Sequence, residues 1–118
     1  MKKKKIYILE DDEDIRELIH YLLENEGYMV SSFASVESFT AQIATSRPDL
    51  VVLDIWLPDG DGRTVCRSLR KNKDMAGLPI VMMTASSLIG MVNGASDFIS
   101  KPFDVNDFVL RIQRLLTA

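Results

Sequence analysis

The chain has 118 residues, room for one domain with a single core and none for a second. Hydrophobic residues make up 47% and charged residues 26%, and no apolar stretch approaches the ~18 residues of a membrane span, so a water-soluble globular domain with no membrane partner is expected. A net charge of -3 and a pI near 5.1 argue against nucleic-acid binding by this domain alone.

The opening lysines, Lys2 to Lys5, form a solvated leader to the first apolar run, Ile6-Tyr7-Ile8-Leu9. That run is too short for a signal peptide, and Cys66 is the only cysteine, which fits a reducing compartment; a cytoplasmic location is expected. Glu10 and Asp11 follow the run at once. Ile15, Leu18, Ile19, Leu22 and Leu23 then repeat at i, i+3, i+4, i+7 and i+8, the apolar stripe of a helix, with His20 off the stripe and expected in solvent. Gly27 suits the C′ position that ends it, because glycine takes a left-handed backbone at no steric cost. Residues 28 to 33 read as a second strand. Ser35 is the N-cap of a second helix marked by Val36, Phe39 and Ile43.

Leu50-Val51-Val52-Leu53 is a third strand, apolar at every position, and Asp54 ends it. Gly60 and Gly62 follow acids in the turn beyond, where free dihedrals or close backbone approach are expected. Val65 and Leu69 mark a third helix, with Cys66 near the core. Ile80-Val81-Met82-Met83 is a fourth strand ending at Thr84, and its methionines are core residues. Residues 95 to 99 are a fifth, with Lys101-Pro102 after it. Val105, Phe108, Val109, Ile112, Leu115 and Leu116 mark a last helix capped by Asp104.

Strands alternate with helices, and strands that are apolar throughout are buried on both faces of a parallel sheet. The fold class is therefore α/β. Right-handed crossovers bring the carboxyl ends of the strands to one edge, where such sheets bind ligands. Glu10, Asp11, Asp54, Thr84 and Lys101 all belong at that edge. Three carboxylates crowded together raise one another's pKa, and a hard, oxygen-seeking divalent cation relieves them; Mg²⁺ is the natural candidate. With charge masked in this way, Asp54 can attack phosphorus and form an acyl phosphate, with Lys101 and the Thr84 hydroxyl holding phosphoryl oxygens.

The runs Ile8-Leu9-Glu10-Asp11-Asp12, Asp54-Ile55-Trp56-Leu57-Pro58-Asp59-Gly60-Asp61-Gly62, Thr84-Ala85 and Gly94 to Phe103 resemble the receiver domain of two-component response regulators. The resemblance covers essentially the whole chain, residues 1–118 as one receiver domain. It implies a CheY-like, flavodoxin-like five-stranded sheet of order 2-1-3-4-5 with helices on both faces. By the same resemblance Asp54 is the phosphoacceptor, Glu10 and Asp11 form the acidic pair, and Asp11, Asp54 and the backbone carbonyl of Trp56 ligate Mg²⁺. Thr84 and Lys101 contact the phosphoryl group, Phe98 is the aromatic switch residue working with Thr84, and Lys101-Pro102 is a cis peptide. The implied function is a phosphorylation-controlled switch charged by a sensor histidine kinase or a histidine phosphotransfer protein. It is a switch rather than an enzyme, limited to its own phosphorylation and dephosphorylation.

Two features depart from that pattern. Thr84 and Lys101 are 101-84=17 positions apart, shorter than the usual receiver interval by roughly a helical turn or more, so a short or remodelled fourth helix is expected across residues 85 to 94. Trp56, two residues after the acceptor, either covers the phosphoryl group or points away and packs. The alternative functions are a receiver-like interaction module that needs no phosphate, and an aspartyl phosphohydrolase of the haloacid-dehalogenase type. The second requires an Asp where Trp56 stands. Oligomeric state, cognate kinase and output partner are left open.

Overall fold

A computed structural model describes residues 2–85 and 94–117. The elements run β1 (Lys5–Leu9), α1 (Glu13–Asn25), β2 (Met29–Phe33), α2 (Val36–Ile43), β3 (Leu50–Leu53), β4 (Trp56–Leu57), β5 (Gly60–Asp61), α3 (Gly62–Lys71), β6 (Ile80–Thr84), β7 (Asp97–Ser100) and α4 (Val105–Thr117). The five long strands form one parallel sheet, β2-β1-β3-β6-β7. With the small β4-β5 ribbon set aside, that is the order 2-1-3-4-5. The expected remodelled fourth helix falls on residues 86–93, outside the described residues.

Alternate side chains of the fully apolar strands feed two cores. Tyr7, Leu9, Val51, Leu53, Ile80 and Met82 face α2 and α3, meeting Phe39, Ile43, Val65 and Leu69. Ile6, Ile8, Val52, Val81 and Met83 face α1 and α4, meeting Ile19, Leu23, Phe108 and Ile112. Each large side chain buried here contributes about 1.5–3 kcal/mol. Continuous apolar runs are thus a requirement of a central strand, whereas β2 lies at the edge and leaves Met29 and Ser31 exposed.

The caps follow the sequence closely. Ser35 accepts from the Ser38 amide at the start of α2, Asp104 accepts from the Asp107 amide at the start of α4, and Gly27 takes φ 94° after α1. Three local readings change. β7 begins at Asp97 rather than at residue 95. His20 is half-buried rather than solvated, with Nδ1 against the Ser32 hydroxyl and Nε2 3.3 Å from Glu24. The segment after Asp54 forms an antiparallel ribbon, Trp56 opposite Asp61 and Leu57 opposite Gly60, where only a turn was expected.

That ribbon ties the helices to the sheet edge. The Asp59 carboxylate accepts from the amides of Val36 (2.8 Å) and Glu37 (3.0 Å) at the head of α2, and these bonds hold it below the usual carboxylate pKa. Asp61 caps α3 through the Arg63 amide (2.8 Å). Three orphan amide donors at the starts of two helices are in this way satisfied from one short loop.

Candidate functional site

The carboxyl ends of β1, β3, β6 and β7 deliver Glu10, Asp54, Thr84 and Lys101 to one place. Among the described residues the buried polar side chains are Glu10 (2% exposed), Asp54 (7%) and Thr84 (1%), all at this sheet edge. The Lys101 ammonium donates to Glu10 Oε1 and, at 3.0 Å, to Asp54 Oδ2. Its backbone amide donates to the Thr84 carbonyl at 3.1 Å, and the Lys101-Pro102 peptide is cis. The second oxygen of Glu10 accepts from the Asp12 amide (3.1 Å), and Asp54 Oδ1 accepts from the Ile55 amide (2.6 Å).

Asp11 is exposed at the mouth of the site. Ligand oxygens of Glu10, Asp11 and Asp54 lie within 4.8 Å of one another, three hard donors of the kind Mg²⁺ or Ca²⁺ takes. The residues present fit a hard divalent cation. The Trp56 backbone stands two residues after Asp54 on β4, while its ring is 54% exposed with the Arg63 guanidinium 5.4 Å from its centre. Arg63 is itself forked onto Asp61 at 2.6–3.1 Å. Phe98, opposite Met82 on β7, is half-buried against the core on the α2-α3 side.

Charge in this pocket is finely balanced. Burial, with the nearby Asp54 charge, pushes the Glu10 carboxyl up to about 7 against the pull of Lys101. Burial alone would lower the Lys101 pKa, but its two carboxylate partners outweigh it and the ammonium is held charged. The lysine is shared between two acids, so it does not fully neutralise either. Because native Glu10 binds its proton more tightly than the unfolded chain does, its contribution to stability is present below pH 4.5 and lost as pH rises through about 7. In chelator-treated protein, the stability difference between Glu10→Gln and the parent should move in the variant's favour across that window; a flat difference in denaturant titrations would refute it.

Sequence reading underweighted two supports of the site. Gly62, at the start of α3, donates its amide to the Ile55 carbonyl at 2.8 Å. A Cβ there would overlap the Asp54 carbonyl oxygen and sit 2.8 Å from its carbon. Close approach, one of the two roles expected for the turn glycines, is the one used; neither Gly60 nor Gly62 has positive φ. Arg16 donates Nη1 to the carbonyls of Glu10 (2.9 Å) and Asp11 (3.1 Å), and its helical spacing carried no signal of this. A cavity of about 390 Å³ between α2 and α3, lined by Phe39, Ile43, Val65, Leu69 and Met75 among others, is separate from these acids.

Residues 6–113 match the family model described as the response regulator receiver domain. The chain belongs to that family. The receiver is 36% identical to the transcriptional regulatory protein GltR of Pseudomonas aeruginosa, with 96% of this chain and 49% of that protein aligned. It is 38% identical to the alkaline phosphatase synthesis transcriptional regulatory protein PhoP of Bacillus subtilis, over 96% of this chain and 48% of that one. The chain thus spans about half the length of these curated relatives. Among solved structures it is similar to the receiver domain of NtrX from Brucella abortus (TM-score 0.86, 32% identity, 96% and 98% of the two chains). It is also similar to the receiver domain of a sensor histidine kinase from Pseudomonas aeruginosa, solved with magnesium coordinated in the active-site cleft (TM-score 0.90, 25% identity, 99% and 100%).

The receiver fold and family place the chain in two-component signalling, where relatives are response regulators and receiver domains of histidine kinases. This is a family of signalling receivers, not of metabolic enzymes. No helix among the described residues is long and apolar enough to cross a membrane.

Proposed function

We propose that Asp54 accepts a phosphoryl group from a phosphohistidine of a sensor kinase or histidine phosphotransfer protein, and that residues 1–118 act as one cytoplasmic receiver domain. The observation that carries this reading is Lys101 shared between Glu10 and Asp54 inside a cluster of three carboxylates. A cation occupying one side of an acidic pocket leaves unneutralised charge on the other, which suits a metal-assisted phosphoryl site.

Mg²⁺ would be held by Glu10, Asp11 and Asp54 with the backbone carbonyl of Trp56, and when bound it supplies charge neutralisation at phosphoryl oxygens. The carboxylate of Asp54 attacks phosphorus, an O–P bond forms, and the P–N bond to the donor imidazole breaks with its electron pair leaving on nitrogen. Lys101 remains charged and hydrogen-bonds a phosphoryl oxygen; the Thr84 hydroxyl donates to another. Water later cleaves the acyl phosphate and restores the carboxylate, so the chain catalyses only its own modification and reversal. The added charge biases Thr84 and Phe98, on the adjacent strands β6 and β7, toward a second packing that partners read.

The exposed Trp56 ring, stacked by Arg63, is the natural probe. Its fluorescence should change on adding Mg²⁺ and again on adding acetyl phosphate, with the second change absent in chelator. If Asp54 is modified by mass spectrometry yet Thr84→Ala and Phe98→Ala leave the second change intact, the switch roles fail. If no modification occurs at all, the phosphate-independent interaction module becomes the better account.

A further inference from the structure

We propose that Arg16 is a positioning residue for the metal site, holding the acidic pair in place from behind. The inference rests on the Mg²⁺ reading given above. β1 leaves the sheet just where the acids begin. Leu9 makes the last rungs, opposite Phe33 and Leu53, and the Glu10 amide still donates to the Phe33 carbonyl at 3.0 Å. Beyond that point the carbonyls of Glu10 and Asp11 have no ladder to join. Both are taken by the Arg16 guanidinium, at 2.9 and 3.1 Å.

Arg16 sits one turn into α1, and the same turn closes the loop in other ways. Its amide donates to the Asp12 carbonyl (2.9 Å), Asp12 caps the helix through the Ile15 amide (3.0 Å), and the Asp12 amide donates to Glu10 Oε2 (3.1 Å). The backbone of both acids, and the Glu10 carboxylate, are thus tied to α1 rather than to the sheet alone. A guanidinium is permanently charged and presents a rigid fork of donors. Here it adds positive charge beside two acids while occupying only their backbone oxygens. Lys101, by contrast, occupies carboxylate oxygens of Glu10 and Asp54. Arg16 therefore steadies the cluster without competing for the atoms a metal would bind. Groups of this outer kind set the orientation of ligands, and losing one typically weakens metal affinity about 10–100-fold.

Isothermal titration of the full chain with MgCl₂ tests the idea, comparing the parent with Arg16→Met and Arg16→Lys and using Asp11→Asn as the control for a lost ligand. Arg16→Met should bind Mg²⁺ about 10–100-fold more weakly, and Arg16→Lys should fall between it and the parent, since an ammonium restores the charge without the fork. Amide exchange at residues 11 and 12 of metal-free protein should also be faster in Arg16→Met. Parent-like affinity in Arg16→Met, with or without a lower melting temperature, overturns the proposal; if that variant does not fold, parent-like affinity in Arg16→Lys does so. A parent that binds no Mg²⁺ overturns the metal reading itself and this inference with it, an outcome distinct from failure of Arg16 alone.

Discussion

Incubated with Mg²⁺ and acetyl phosphate, the parent chain should gain the mass of one phosphoryl group, and Asp54→Asn should gain none. The substitution is nearly isosteric: the amide keeps an oxygen that can accept from the Ile55 amide, a bond of 2.6 Å in the parent. What it removes is chemical. A carboxamide has no anionic oxygen to attack phosphorus, and it turns one of three clustered anionic ligands into a neutral oxygen donor, so the nucleophile is lost and metal affinity falls. The phosphorylated parent should release its phosphate to hydroxylamine, as acyl phosphates do. Asp11, close in space, and Asp59 and Asp61, close in the sequence, lack the Lys101 contact that Asp54 has. A full mass increment persisting in Asp54→Asn would therefore remove Asp54 as acceptor and redirect attention to those acids.

Gly62→Ala, at the start of α3, should cost more stability than any conservative change in the adjoining β4-β5 ribbon. A Cβ at this position meets backbone on every close side: the Asp54 carbonyl group and, at 3.1 Å, Ile55 Cα. No side chain can rotate out of the way. Overpacking in ordinary cores costs about 1–3 kcal/mol, and a clash that only main-chain movement relieves should reach the ~4–5 kcal/mol that marks exceptional substitutions. The movement also carries Asp54 with it, so whatever fraction folds should phosphorylate poorly. Gly77→Ala is the matched control, because nothing lies within 4 Å of its Cβ direction and its φ is not positive. Urea titrations of the three proteins decide the matter: a Gly62→Ala midpoint close to that of Gly77→Ala would show that the helix start yields easily.

Most of the fold was legible in the sequence because burial on two faces leaves a strong mark. Ile80 to Met83 and Leu50 to Leu53 read as central strands since no polar residue fits either side of them, and the stripe from Ile15 to Leu23 had one solution. The β4-β5 ribbon left no such mark. Its strands are two residues each, too short for a period, and what stabilises them is remote: Asp59 bonded to the head of α2, Arg63 stacked on Trp56. His20 illustrates the same limit, since its place off the apolar stripe said nothing about Ser32 on the neighbouring strand.

Sequence by itself determined the α/β class, the caps at Ser35, Gly27 and Asp104, and which polar residues end the strands, because these depend on periodicity and on groups adjacent along the chain. Only the tertiary structure decided how those residues share charge. Lys101 lies 91 positions from Glu10 and 47 from Asp54, and its division between them, with the burial that raises Glu10, is a property of distances in space. The same is true of Arg16 behind the acidic pair and of Gly62 beneath Asp54. Electrostatics and steric exclusion act through a few ångströms of space, and separation along the chain does not encode them.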